Sequence, residues 1–107
     1  MKTIEKLTAA DFPVAVRRGV VLVDFFAQWH GPCHKQGAII NVLADGDRFP
    51  EDVKVTKIDI DEAPVIAAKF EVDILPTLVV FQDGAEVERL VGMADEEQVL
   101  HLLRCRK

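Results

Sequence analysis

Apolar residues run almost unbroken from Val20 to Phe26, and again from Leu78 to Phe81. Short runs rich in β-branched and aromatic residues read as strands covered on both faces, typical of a parallel sheet. Three weaker patterns join them: Thr3 to Leu7, the alternating Val53 to Ile60, and Val87 to Val91. Asp83-Gly84 between the last two strands is a two-residue hairpin signal. Between the strands the period lengthens. Asp11 can cap a helix that has Pro13 in its first turn and runs to about Arg18, with Gly19 ending it. A second helix is predicted from Cys33 to about Leu43, with Ile39, Ile40 and Leu43 as its apolar stripe and Gly37 weakening it. The polar stretch from Asp45 to Asp52 reads as a loop. A third helix opens around Pro64 and ends near Lys69. Asp95 can cap the last, with Glu96 and Glu97 in its first turn, Val99, Leu102 and Leu103 on its apolar side, and Arg104, Arg106 and Lys107 at its end. The order βαβαβαββα predicts an α/β architecture: a mixed central β-sheet flanked by helices.

The length of 107 residues fits one domain spanning 1–107, without repeats or linkers. Such a chain buries roughly 65% of the surface its unfolded form exposes, enough for a core without staples. Half of its residues are hydrophobic, which argues against disorder. The net charge of −5 speaks against nucleic acid and against anionic membrane surfaces as partners. No stretch approaches the ~20 apolar residues of a membrane span. The start Met1 to Leu7 lacks the apolar run of a signal peptide, and two cysteines are too few for a secreted disulfide scaffold. A cytoplasmic protein in a reducing compartment is expected.

The chemistry gathers after the first long apolar run, in Trp29-His30-Gly31-Pro32-Cys33-His34. A Gly-Pro turn follows a buried strand and places the Cys33 thiol where a helix begins. This segment resembles the active site of the thioredoxin family, whose usual form is Trp-Cys-Gly-Pro-Cys. Further motifs in matching order resemble the same family: Val23 to Trp29, Val55 to Asp61, Ile74-Leu75-Pro76-Thr77, Phe81 to Gly84, and Gly92. The resemblance covers nearly the whole chain and implies a thioredoxin fold. Four positions depart from the pattern. His30 stands where the family has its nucleophilic cysteine, His34 where a lysine or arginine is common, Ala38 where a proline kinks the helix, and Phe26 where a tryptophan is common.

A dithiol–disulfide cycle needs two sulfurs within bridging distance, so imidazole cannot replace the missing one. Two functions follow as expectations. In the first, Cys33 forms mixed disulfides with protein clients or small thiols but does not complete dithiol cycling. In the second, the protein is a redox-inactive binding module that uses the groove around Pro76. Cys33 is then an inert, half-buried side chain. His30 is either a base or positive neighbour that lowers the Cys33 pKa, or an exposed residue filling a vacated position.

The resemblance implies a buried Asp24 behind Cys33 as proton acceptor, with Lys57 as its partner on the next strand; a structural buried pair is the alternative. It also implies a cis bond before Pro76. Leu75, Pro76 and Thr77 would then pair with an extended client backbone. Trp29, Gly31, Pro32, Ile74, Gly92 and Met93 would form the rim. His30, Cys33 and His34 invite a metal reading, against which zinc needs three or four ligands while adjacent helical residues diverge by about 100°. No metal or other cofactor is expected. Cys105, at the end of the last helix, is read as a bystander. The oligomeric state stays open.

Overall fold

The computed structural model describes residues 2–105. Five strands form one sheet in the order β1-β3-β2-β4-β5, from β1 (Ile4–Leu7), β2 (Val20–Phe26), β3 (Val53–Asp59), β4 (Thr77–Gln82) and β5 (Ala85–Val91). β1, β3 and β2 run parallel, whereas β4 is antiparallel to both β2 and β5. This is the mixed α/β sheet of the thioredoxin fold.

Period-two alternation sorts the side chains of β2 and β4 between two cores. Val20, Leu22, Leu78 and Val80 point to one face, under α2 (Gly31–Asp45) and α4 (Glu96–Arg104). Val21, Val23, Phe25, Val79 and Phe81 point to the other, against α1 (Phe12–Ala15) and α3 (Pro64–Lys69). On that second face Phe12, Phe25, Phe70 and Phe81 form a cluster of rings with centroids 5.2–6.3 Å apart. Tilted and edge-on pairs of this kind add to the area they bury. By the same alternation Asp24 shares the α2 face with Leu22, so burial of β2 carries a carboxylate into the core.

The element boundaries differ from the sequence reading in instructive places. α1 stops at Ala15, three residues short of Arg18. Asp11 gives it no side-chain cap; its carboxylate and the Thr8 side chain instead bond each other's backbone amides across the preceding turn. α2 starts at Gly31, two residues before Cys33, because Pro32 is tolerated in a first turn, and it continues to Asp45. β3 ends at Asp59 rather than Ile60, and β4 and β5 each extend beyond the apolar run that announced them. Asp83 and Gly84 both take positive φ, 51° and 88°, as the two-residue turn requires. Asp95 caps α4 in a reciprocal box with Gln98, at 2.8 Å in each direction. Arg106 and Lys107, expected at the helix end, lie outside the described residues.

Candidate active site

The site forms where β2 ends and α2 begins. His30, the residue before α2, has extended backbone and offers no side-chain cap. Its ring turns instead toward the first turn of the helix, where Nδ1 lies 3.1 Å from Cys33 Sγ. The imidazole thus occupies hydrogen-bond distance from the sulfur; its tautomer decides whether the ring donates or accepts. Cys33 itself is only 4% exposed. That burial pushes its thiol pKa up, a backbone hydrogen bond at Ala27 pulls it down, and Asp24 adds a further upward push. Burial is the largest of these influences, so the thiol pKa lies above its ordinary value.

Asp24 is 3% exposed, and desolvation lifts its pKa to about 7 against the opposing pull of Lys57. The two are direct partners in the parallel register of β2 and β3. The Lys57 ammonium lies 5.7 Å from the centre of the Phe26 ring. Asp24 Oδ1 has no hydrogen-bond partner among the described residues.

On the other side of Cys33 the Leu75–Pro76 bond is cis, and the Thr77 hydroxyl donates to the carbonyl of Ile74 at 2.5 Å. The Pro76 carbonyl accepts from the amide of Gly92 at 2.8 Å, tying the turn before β4 to the one after β5. Gly92 has φ of 91°, which disfavours any residue with a Cβ. Around this junction Trp29, Ile74, Val91 and Met93 are exposed. Gly31 and Pro32 are exposed on the neighbouring helix start, whereas Leu75 is half-buried and Pro76 and Thr77 are buried. Apolar side chains are thus exposed before α2 and at the turns flanking β4 and β5. His34 places Nε2 2.6 Å from the carbonyl of Gln28. Among the described residues no cluster of three potential ligands can hold a metal. Cys105 is exposed and stands 3.3 Å from His101 Nε2, at the far end of α4.

Three further residues shape the site without having been singled out from sequence. Gln36 is fully buried and grips the backbone of Ala94 twice, donating to its carbonyl at 3.0 Å and accepting from its amide at 2.8 Å. Its signal was a polar residue inside the stripe Cys33, Gln36, Ile40, Leu43, spaced three or four apart. Asp61 accepts from the Trp29 indole at 2.7 Å, and Asp59 fixes the Asp61 amide at 2.8 Å. Trp29 in turn meets the His30 ring edge-on, with centroids 5.5 Å apart. Local sequence carries no sign of the Trp29–Asp61 bond, which joins segments 32 residues apart. A larger recess of about 640 Å³ lies between β5 and α4 around Leu90, His101 and Leu102, but none of its walls comes from the Cys33 segment.

The geometry agrees with comparisons to known proteins. The family model described as Thioredoxin matches residues 3–104. Thioredoxins of Staphylococcus aureus, from strains MW2 and N315, are each 43% identical over 100 residues, covering 94% of this chain and 94% of their own. Among the described residues no helix is long and apolar enough to cross a membrane. The chain belongs to the thioredoxin family of thiol–disulfide oxidoreductases.

Proposed function

We propose that this thioredoxin-family domain, taken as residues 1–107, works with one active-site sulfur. Cys33 attacks a disulfide, holds one half as a mixed disulfide, and depends on an external thiol for release. The observation that carries this reading is the 3.1 Å contact between His30 Nδ1 and Cys33 Sγ. An imidazole there can take the thiol proton as the sulfur attacks, although it cannot close a disulfide. Asp24, whose pKa is raised to about 7, serves as the second proton acceptor, with Lys57 favouring its anion. The lip formed by Trp29, Gly31, Pro32, Ile74, Leu75, Pro76, Thr77, Gly92 and Met93 receives an extended client segment. A reducing compartment, the cytoplasm, suits a lone thiol that must stay reduced.

The 4% exposure of Cys33 and its raised pKa favour a second reading, a binding module that keeps the lip but performs no exchange. Two measurements separate them. Mass spectrometry after incubation with oxidised glutathione should find an adduct on Cys33. In an insulin-reduction assay the native protein should turn over far more slowly than His30→Cys. An absent adduct, with the variant equally inactive, would favour the binding module. Equal turnover by both proteins would refute the one-sulfur reading.

A further inference from the structure

The site has a second flank. Opposite the Pro76 lip, on the β3 side of β2, a cleft of about 310 Å³ opens beneath α2. Cys33 forms part of its wall, together with Lys6, His34, Ala38, Asn41 and Lys57. Gly37 and Ala38 leave the α2 side of the cleft with almost no side chain. The cleft shares Gly37, Asn41 and Lys57 with a smaller inner pocket of about 30 Å³ that is lined by Asp24. The unpartnered Oδ1 of Asp24, buried to all but 3%, thus stands at a pocket adjoining the cleft. A buried acceptor in this state calls for a guest or solvent molecule that carries a hydrogen-bond donor.

We propose that this cleft seats a small thiol bearing a carboxylate, and that the thiol attacks the Cys33 mixed disulfide from the flank opposite the client. The inference rests on the one-sulfur reading above. The size is at the lower end of small-molecule sites, suited to a thiol no larger than a short peptide. Lys6 is engaged by Glu62 at 3.1 Å, which leaves Lys57 as the cation for the carboxylate. The direction of approach follows from the exchange reaction. Incoming, central and leaving sulfurs stand close to one line, so a client sulfur on the Pro76 side is displaced by attack from the β3 side.

The chemistry balances with two equivalents of the small thiol. Cys33 thiolate first opens the client disulfide, forming Cys33–S–S–client and releasing one client thiol. The seated thiolate then attacks Cys33 Sγ; the Cys33–client bond breaks and the second client thiol leaves. A second small thiol attacks the resulting Cys33 adduct and regenerates Cys33. Two small thiols are oxidised to one disulfide, and one client disulfide is reduced to two thiols.

The test uses Cys105→Ser, so that Cys33 is the remaining thiol. A peptide with an activated disulfide is loaded onto Cys33 and the load is checked by intact mass. Release is then followed with 3-mercaptopropionate and with cysteamine. The native site should pass through a Cys33–mercaptopropionate adduct, because Sγ of Cys33 is the sulfur attacked. Asn41→Phe, a change on the exposed side of α2 that fills the cleft, should slow release by mercaptopropionate about tenfold. It should also divert the product toward the peptide–mercaptopropionate disulfide. Lys57→Met should slow release by mercaptopropionate about threefold more than release by cysteamine, which reports any effect passed through Asp24 alone. Release through the peptide sulfur in the native protein, or unchanged rates in both variants with intact melting curves, would overturn the cleft while leaving one-sulfur exchange standing. Failure to load Cys33 would overturn both.

Discussion

Gln36 and Ala94 lie 58 positions apart, yet the side-chain amide of one satisfies both backbone groups of the other inside the core. The pairing joins α2, which carries Cys33, to the turn that carries Gly92 and Met93. Both faces of the proposed client lip are thereby fixed relative to one another. Replacing the amide by an apolar group of similar size leaves a buried N–H and C=O unpaired, at a cost of about 1–3 kcal/mol. Gln36→Leu should therefore melt at a lower temperature, and hydrogen exchange at the Ala94 amide should accelerate. If that amide exchanges no faster than in the native protein, the clamp carries no weight.

The Asp24 carboxyl makes stability depend on pH in an unusual direction. Its pKa rises from an ordinary 3.8 to about 7 in the folded state, so the folded protein holds this proton between those values while the unfolded chain has released it. Stability from this group is complete below about 4 and is lost as the pH rises toward 7. The shift corresponds to something on the order of 4 kcal/mol by pH 8. Urea titrations should show Asp24→Asn close to the native protein at acidic pH and clearly more stable at pH 8. A difference that stays constant with pH would mean that the carboxyl titrates normally.

Trp29 is the single tryptophan, and 70% of its surface is exposed. The bond from its indole to Asp61 is what orders a ring that packing alone would leave free. Asp61→Ala should raise the mobility of the indole, read as lower fluorescence anisotropy, with a stability loss of about 1 kcal/mol or less. Because the ring edge meets His30, the same variant should shift the His30 ring resonances. Unchanged anisotropy would show that the hydrogen bond does not hold the ring.

Much of this was legible in the chain. The long apolar strands announced themselves because their faces are both covered, and Asp83-Gly84 marked its hairpin through the positive φ that both positions need. Asp24 stood out as a charge inside such a strand, and Cys33 through its Gly-Pro turn. What escaped the sequence was contact between distant segments: the grip of Gln36 on Ala94, the indole of Trp29 on Asp61, and the cleft left by Gly37 and Ala38. Helix ends were also missed where local rules compete, as in α1, whose capping candidate Asp11 bonds Thr8 instead.

The two thiols should differ sharply in reactivity. Cys105 is exposed at the end of α4, whereas Cys33 is buried, with its pKa pushed up chiefly by desolvation and further by Asp24. Only the thiolate is a good nucleophile, so both access and ionisation slow Cys33. Timed alkylation with iodoacetamide, mapped by mass, should modify Cys105 first at neutral pH and reach Cys33 much later. Raising the pH through 9 should accelerate Cys33, since burial holds its pKa above the ordinary thiol value. Asp24→Asn removes the neighbouring negative charge that opposes thiolate formation and should speed alkylation of Cys33 above pH 7, where the carboxylate is charged. His30→Ala supplies the complementary control: if the imidazole takes the thiol proton, its loss should slow Cys33 at neutral pH. Were Cys33 to react as fast as Cys105 in the native protein, burial would not govern its reactivity.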